Sequence, residues 1–489
     1  MLIPVMAACG EKTPGGDVTT PSVTDGGNVT TEPAVTLPPE TTDYPELPEN
    51  VDYEDSDFLI FNSTSDYNTF CDFSIENDSY DIVNDGIFKR NSAVEDALGI
   101  VIKTYSQHGS TFTSGPSTTA LKQDYTAAES NYDLCCIGTW TGPVAAQNGY
   151  VLDLYEVPYI DLEKPWWDQR ANSDMGIGGK MFFTTGDIGI TDNLATHCLL
   201  FSKPIAEEKS ITDIYSLVTE GGWTWDKFEE YARMVSDDLN GDDLMDANDR
   251  YGVLTWNDTF QASFGGARTG IAGINENGEL EVTMWSEQNN DLANRITTLL
   301  FDTRYSYNYM NEDASIANAA IMTLFPGGQG LFLTTMFLKV PLLRDSEMDF
   351  GIIPYPKLNA EQKEYGGYIS ATYSHMYCIE TYIEDEERSG VVTELLAYQS
   401  MIDVTPAYYE HTLKGREARD EESIECLEII FANRSYDLGV FYSIGSYTGS
   451  ITDMMRARAN RFQNIYESSK RTAGIQVKNI NKKFVDADK

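Results

Sequence analysis

Three short apolar runs alternate with two longer segments near the start of the chain, and this order constrains the fold more than any other feature. Apolar runs of this length are typical of buried strands, and the longer segments have helical patterns. Consecutive strands joined by helices lie parallel in one sheet with helices on its faces, so the order predicts a doubly wound α/β lobe. The five segments, in chain order, are Phe58–Phe61, Asp85–Leu98, Ile100–Thr104, Thr118–Glu129 and Tyr132–Ile137.

Length and charge limit the possible functions. The chain has 489 residues, which is long for one compact core and predicts two domains or lobes. Its 77 acidic residues outnumber 34 basic ones and give a formal charge of -43. This excess of negative charge disfavours nucleic acid and anionic lipid headgroups as partners. Beyond the N-terminus no apolar run approaches the roughly 20 residues that span a membrane, so membrane attachment is expected through lipid alone.

A tryptophan lies just after the third predicted strand, in the segment Gly138-Thr139-Trp140-Thr141-Gly142. In doubly wound sheets ligands bind beyond the carboxyl ends of the strands. Trp140 there offers a flat apolar face beside hydroxyl groups, which suits a polar ligand with apolar faces. The alternative is a tryptophan that only caps the end of the sheet.

Residues 238–249 have the spacing of an EF-hand calcium loop. Calcium needs six to eight oxygen ligands, and position 7 of such a loop contributes a main-chain carbonyl. The loop departs from the pattern at position 6, where Asp243 replaces glycine, and at position 12, where aspartate replaces glutamate. The predicted ligands are Asp238, Asn240, Asp242, the Leu244 carbonyl, Asp246 and Asp249.

The surroundings of this loop favour a structural role for calcium. A helix that begins after Thr224 and has an apolar face through Phe228 and Val235 precedes the loop. A predicted strand, Tyr251–Leu254, follows it in place of the second EF helix, so we expect a structural Ca²⁺ site and not a signalling switch. The alternative is a solvated acidic turn without metal.

The N-terminus carries a candidate lipid anchor. Met6-Ala7-Ala8-Cys9, followed by Gly10, has the pattern of a bacterial lipoprotein cleavage box, in which Cys9 accepts a lipid and becomes the mature N-terminus. The alternative is an ordinary cysteine near an irregular start, and residues 1–9 are interpreted as a truncated leader. Residues 10–54 are rich in Thr, Pro, Glu and Gly and are predicted to form a disordered tether.

Sequence motifs for catalysis are weak throughout the chain. There is no HExxH pair, GxSxG elbow, P-loop or GxGxxG pattern, and carboxylate pairs are too common here to discriminate. The cysteines after Cys9 form no CxxC pair and no zinc-type spacing, so they are expected to be structural. These cysteines are Cys71, Cys135, Cys136, Cys198, Cys378 and Cys426.

Several longer segments occur in a characteristic order between about residues 55 and 475. They are YDLCCIGTW, KPWWDQ, GDIGITDNLATHCLLFSK, GGWTWDKFEEYAR, the acidic loop and DFGIIPYPKL. This order resembles the extracellular solute-binding proteins of family 1, the lipoprotein receptors of ABC importers best known for carbohydrates.

The resemblance implies two doubly wound α/β lobes joined by a hinge, as in class II periplasmic binding proteins, that close on a ligand. It assigns residues 55–192 and 326–357 to one lobe and residues 193–325 and 358–475 to the other, with residues 476–489 as a tail. It also implies which residues contact the ligand. These are Thr139, Trp140, Asn193, Trp256, Phe264, Thr335 and Tyr368.

The resulting hypothesis is a lipid-anchored protein on the extracellular face of a bacterial membrane. It would capture an oligosaccharide or similar polar solute and deliver it to an ABC permease without covalent chemistry. One alternative is a surface-anchored glycan hydrolase, which needs a positioned acid and base that the sequence does not reveal. The other is a receptor of the same fold for peptides or another solute.

Overall fold

A computed structural model describes residues 44–77, 80–109, 113–309, 320–418 and 420–485. The candidate lipidation site Cys9 and the predicted tether up to residue 43 lie outside the described residues. The tether prediction extends too far, because the compact unit of the fold begins at Pro45. Leu47, Val51 and Tyr53 pack against the hydrophobic core, so their apolar side chains hold this stretch on the fold.

The strands are β1 Ser56–Thr64, β2 Ile100–His108, β3 Leu134–Gly138, β4 His197–Ser202, β5 Tyr251–Thr255, β6 Ala272–Ile274, β7 Leu280–Val282, β8 Ser306–Asn308, β9 Gly330–Met336, β10 Phe350–Ile353 and β11 His375–Cys378. The α-helices are α1 Asp81–Leu98, α2 Pro116–Ala127, α3 Thr141–Asn148, α4 Gln169–Met175, α5 Thr191–Leu194, α6 Lys203–Glu208, α7 Ile214–Thr219, α8 Trp225–Val235, α9 Thr259–Gly266, α10 Glu287–Leu300, α11 Glu386–Pro406, α12 Glu421–Ala432, α13 Leu438–Phe441, α14 Tyr447–Ala457 and α15 Phe462–Phe484. Short 3-10 or π segments span Ala320–Leu324, Phe337–Leu343, Ala407–Glu417 and Ile444–Ser446.

The first sheet has the strand order β11-β3-β1-β2. Strand β1 pairs in parallel with β2 and β3, while β11 runs antiparallel to β3. Helix α1 can turn directly into β2 because Gly99 adopts a left-handed conformation, with φ of 61°, and its N–H donates to the Glu95 carbonyl at 2.9 Å. The strand–helix alternation predicted from the sequence is therefore confirmed.

The second sheet has the order β10-β4-β9-β5-β8. Strand β9 is parallel to β5 and antiparallel to β4, which pairs in turn with β10. The assignment of residues 326–357 to the first lobe is therefore wrong, because β9 and β10 hydrogen-bond within the second sheet. Both strands are buried along their whole length, so burial alone does not show which lobe they belong to. The strands with which they pair show it.

The C-terminal third also divides differently from the predicted boundaries. Strand β11 belongs to the first sheet, and α11 packs against α1, so part of residues 358–475 lies with the first lobe. No boundary falls at residue 476, because α15 runs through it as one helix. The Phe484 ring near its end packs 5.0 Å from the Phe182 ring and is 3% exposed, so this segment belongs to the core.

The two sheets are joined by chain segments that pair with each other. Thr196 forms an antiparallel bridge with Ile369. The His197 N–H donates to the Tyr368 carbonyl at 2.9 Å, and the Ser370 N–H donates to the Ala195 carbonyl at 3.0 Å. These two paired stretches, residues 195–197 and 368–370, lie in the two crossing segments of the chain and form a short hinge between the lobes. None of the helices in the described residues is both long and apolar enough to cross a membrane.

Candidate ligand-binding site

A cavity of about 480 Å³ lies where loops of both sheets meet at the carboxyl ends of parallel strands. Tyr67 follows β1, Trp140 follows β3, and Trp256 follows β5. The crossing segment that leads to β11 adds Tyr368 and Tyr373. The cavity therefore occupies the place where doubly wound sheets bind ligands.

Aromatic rings form one wall of this cavity. The Trp256 ring stacks on the His197 ring with centroids 5.5 Å apart and 23° between the planes, which fixes its orientation. The Tyr373 ring lies 6.5 Å from Trp256 and 5.7 Å from Tyr67. Trp140, which comes from the first sheet, also lines the cavity and is 8% exposed. Held rings of this kind present apolar faces at low cost in side-chain entropy.

Several polar atoms in the cavity wall have no hydrogen-bond partner within the described part of the chain. They are the Trp256 Nε1–H donor, the Gln261 Oε1 acceptor and the Thr448 hydroxyl. An unsatisfied buried polar group costs roughly 1–3 kcal/mol. A ligand that brings both hydrogen-bond donors and acceptors would satisfy these three groups together.

Charged side chains stand at one side of the same cavity. Asp258 immediately precedes α9, while Asp453 and Arg456 lie on α14 with their Oδ1 and Nη1 atoms 3.5 Å apart. Burial raises the pKa of Asp258 to about 6, although the positive charge of Arg456 opposes this shift. Asp258 is therefore a carboxylate at neutral pH and an acceptor for a ligand hydroxyl.

Among the predicted ligand contacts, Trp140, Trp256 and Tyr368 line this cavity together. Thr139 does not, because its hydroxyl donates to the Ser374 carbonyl at 2.9 Å and so holds β3 against the crossing segment. Phe264 lies in the core, with its ring 4.7 Å from Phe260.

Thr335 and Asn193 also lie outside the lining of the cavity. Thr335 is a buried residue of β9, in register with Cys198 of β4. Asn193 lines a separate cavity of about 250 Å³ at the hinge, where its Oδ1 accepts a hydrogen bond from Arg434. Neither residue lines the larger cavity, and their ligand contacts stay predictions.

The hinge cavity is the centre of a buried charge network. The Arg434 guanidinium binds the carboxylates of Asp168 and Asp192, which are 5% and 1% exposed at their side chains. The Tyr436 hydroxyl donates to Asp168 at 2.8 Å. Burial raises the pKa of Asp192, and Arg434 counters this rise. Because Asp168 precedes α4 and Arg434 follows α12, the network ties distant parts of the chain at the hinge.

The acidic loop follows α8 as expected, and its side chains are engaged with its own backbone. Asp238 accepts hydrogen bonds from the N–H groups of Gly241 and Asp243, at 2.7 and 2.9 Å. Asp243 adopts a left-handed conformation, with φ of 62°, in the position that normally needs glycine. Asp249 is fully buried and accepts from the Leu239 N–H at 3.0 Å. Within this loop, which is described in full, no three carboxylates come within 4.8 Å of one another.

Most of the residues that line the cavity were not among the sequence predictions. Tyr67, Asp258 and Gln261 follow the ends of β1 and β5, so the same rule that selected Trp140 could have found them. Thr448 and Arg456 come from α14, which packs near the cavity only in the folded chain, and no local pattern marks them.

Comparisons with known proteins give the fold. No protein-family model matches this chain, and no curated protein matches it in sequence. A galacto-N-biose/lacto-N-biose I-binding protein of an ABC transporter from Bifidobacterium longum is similar in structure, with 14% identity and a TM-score of 0.60 over 88% of this chain and 98% of that chain.

Two further solved structures agree. A cyclic α-maltosyl-1,6-maltose binding protein from Arthrobacter globiformis has 12% identity and a TM-score of 0.56 over 87% of this chain and 100% of that one. An ABC substrate-binding protein from Listeria monocytogenes in complex with cycloalternan has 11% identity and a TM-score of 0.55 over 86% and 99%. The chain therefore has the two-lobed α/β fold of periplasmic binding proteins.

Proposed function

We propose that this protein captures an oligosaccharide or a similar polar solute and delivers it unchanged to an ABC importer. The observation that carries the proposal is the cavity between the sheets, where aromatic faces stand beside buried polar atoms without partners. The structurally similar proteins, which by their names bind oligosaccharides, support the same ligand class.

The chemistry of a sugar suits these walls. A pyranose ring has an apolar face of C–H groups, which packs on rings such as Trp140 and Trp256, and an edge of hydroxyls that both donate and accept. The hydroxyls would pair with Trp256 Nε1 and Gln261 Oε1 and would thus remove the penalty of leaving these two atoms unpaired. They would also donate to Asp258. Because the contacts come from both lobes, the ligand would bind the closed state more tightly and drive closure.

A panel of oligosaccharides distinguishes capture from hydrolysis. We expect titration calorimetry with the full chain to show one-site binding of at least one glycan, with the sugar recovered intact after incubation. Loss of substrate at catalytic protein concentration would favour a glycan hydrolase. Binding of peptides alone would favour the third alternative and contradict the oligosaccharide proposal.

We infer that the acidic loop binds Ca²⁺ as a structural staple. The order of oxygen-bearing side chains and the left-handed Asp243 support this role, because a bound divalent cation would relieve the repulsion among its carboxylates. Chelation should lower the melting temperature of the full chain by several degrees, and added Ca²⁺ should restore it. Asp242→Ala should abolish the response, while Glu281→Ala on β7 should keep it. An unchanged melting temperature after chelation, with no calcium in the purified protein, would contradict the proposal.

We also propose that Cys9 carries the lipid that holds the protein at the outer face of the bacterial membrane. The cleavage-box pattern supports this, and at least two acyl chains would be needed for stable anchoring. Mass spectrometry of the N-terminal peptide should show a lipid-modified Cys9. An unmodified peptide that begins upstream of Cys9 would contradict the proposal.

A further inference from the structure

Three buried side chains of types that commonly bind metals meet at one face of the first sheet. The ligand atoms of Asp72, Cys136 and His375 all lie within 4.8 Å of one another. The three residues are 2%, 0% and 0% exposed. Asp72 lies between β1 and α1, Cys136 is in β3, and His375 begins β11, so the cluster joins three distant parts of the sequence.

Strand register brings this cluster together. Tyr377 of β11 pairs with Cys136 of β3, so the two side chains share one face of the sheet. His375 lies two residues before Tyr377 and therefore points to the same face. The Tyr377 hydroxyl donates to Asp72 Oδ2 at 2.7 Å, while Asp72 Oδ1 accepts from the Ile190 N–H at 2.7 Å. The carboxylate is thus held in place beside the thiol and the imidazole.

Two buried side chains near the cluster lack hydrogen-bond partners in the described part of the chain. Neither ring nitrogen of His375 has a hydrogen bond within the described part of the chain, although the residue is fully buried. The carboxamide of Asn62, in register with Cys136 on the neighbouring strand, is equally buried and equally unpaired in the described structure. Leaving such buried groups unpaired is energetically unfavourable. Coordination to a metal ion would use the lone pairs of the imidazole and of the Asn62 carbonyl oxygen.

We propose that Asp72, Cys136 and His375 bind a transition-metal ion of the zinc class, with Asn62 beside the fourth position. Thiolate and imidazole together select a borderline metal such as Zn²⁺ over Ca²⁺ or Mg²⁺, which prefer oxygen alone. Metal binding releases the thiol proton, and one carboxylate plus one thiolate neutralise a divalent ion. Bond lengths of about 2.0–2.3 Å require the three side chains to move slightly closer together.

The nearby Arg90 guanidinium does not bind the side-chain atoms that would hold the metal. The Arg90 guanidinium donates to the main-chain carbonyls of Asp72 and Ile188, at 2.7 and 3.3 Å, and to the Ser400 hydroxyl. The Asp72 carboxylate oxygens each have a further lone pair beyond the hydrogen bonds that they accept. A metal here would tie β11, directly after the hinge crossing, to β3 and to the segment that follows β1.

The test is the metal content of the full chain together with the spectrum of its cobalt form. The protein is refolded with excess Zn²⁺ or Co²⁺, desalted and analysed by mass spectrometry of the metal. We expect about one zinc per chain and, with Co²⁺, a near-ultraviolet thiolate-to-metal band. Cys136→Ser and His375→Asn should each reduce bound zinc at least tenfold.

Cys135→Ser is the matched control, because Cys135 is equally buried but points to the opposite face of β3. It should retain the metal and the cobalt band. Circular dichroism checks that each variant is folded. If a variant does not fold, the metal content of the wild-type chain still tests the proposal. Refolded wild-type protein with less than about a tenth of an equivalent of zinc and no thiolate band would overturn the proposal. Equal loss of zinc in Cys135→Ser and Cys136→Ser would overturn it too.

Discussion

Asp258 is a carboxyl group of the cavity wall whose pKa is raised by burial. It lies against α14, where Arg456 is the nearest opposing charge and Asp453 is largely exposed. Its raised pKa means that the folded chain holds this proton more tightly than the unfolded chain does. Stability contributed by protonated Asp258 is therefore present at low pH and declines as the pH rises from about 4 to about 6. The same carboxylate is the strongest acceptor available to a ligand hydroxyl.

Asp258→Asn separates these two effects. At pH 7 the variant should be more stable by about 1 kcal/mol, after allowance for solvent screening of a half-buried group. At pH 4 it should unfold at the same denaturant concentration as the wild type. Ligand affinity at pH 7 should fall about tenfold, since hydrogen bonds to charged groups contribute roughly 1.5–3 kcal/mol. Calorimetry and denaturation across this pH range measure both.

The matched variant Asp453→Asn changes a carboxylate that is 70% exposed at its side chain. Its effect on stability at pH 7 should be smaller than that of Asp258→Asn. If Asp258→Asn leaves the pH dependence of both stability and affinity unchanged, the carboxylate does not titrate in this range and does not face the ligand.

Trp140 and Trp256 are predicted to bind the ligand from opposite lobes. Trp140→Ala should lower affinity at least tenfold, because it removes a large apolar contact, and Trp256→Ala should do the same. Trp285→Ala is the control, because Trp285 stacks on Tyr466, 5.2 Å away, and does not line the cavity. A binding isotherm for Trp140→Ala that matches the wild type would remove Trp140 from the site.

At the scale of elements, the sequence predicted strands better than it predicted their partners. The first three strands were found because each is a short apolar run beside a helix, and local pattern is enough for that. Strands β9 and β10 are equally apolar, but their sheet depends on pairing with β4, which is far away in sequence. Local pattern likewise accounts for the part of the cavity that was predicted from the sequence. Residues after strands follow a local rule, whereas α14 reaches the site through tertiary packing alone.

One buried contact shows how an element is fixed by residues that no motif connects. Glu394 of α11 accepts hydrogen bonds from the indole N–H groups of Trp166 and Trp167, both at 2.9 Å. Burial raises the pKa of Glu394 to about 7, and the two indole donors oppose the rise. The contact holds α11 on the segment that precedes α4. Neither the PWW sequence nor the helix reveals the other as its partner.

Glu394→Ala should destabilise the fold by about 2–4 kcal/mol, because two buried indole donors lose their acceptor. Glu394→Gln should cost less, since one carbonyl oxygen can still accept from one indole. Glu387→Ala, at an exposed position of the same helix, should cost under about 1 kcal/mol. Urea denaturation measures the three free energies. Equal effects from Glu394→Ala and Glu387→Ala would show that the indole contacts contribute little.

At the scale of the whole molecule, the same crossing segments contribute both to the ligand cavity and to the hinge between the lobes. Tyr368 lines the cavity, while its carbonyl accepts the His197 N–H across the hinge. The Arg434 network anchors the hinge cavity on buried carboxylates. Removing one member of such a network leaves an uncompensated buried charge. Because the lobes are joined through short paired segments, we expect motion between the lobes to centre on these segments and to leave each sheet intact.

Closure can be measured by solution scattering of the full chain with and without a saturating glycan. Hinge closure should reduce the radius of gyration on the order of 1 Å. Trp256→Ala, at ligand concentrations that leave it mostly unbound, should not show the decrease. Trp285→Ala should show it in full, because its cavity wall is complete. A ligand that binds tightly by calorimetry yet leaves the scattering profile of the wild type unchanged would mean that the two lobes do not move on each other, and that affinity comes from a preformed cavity.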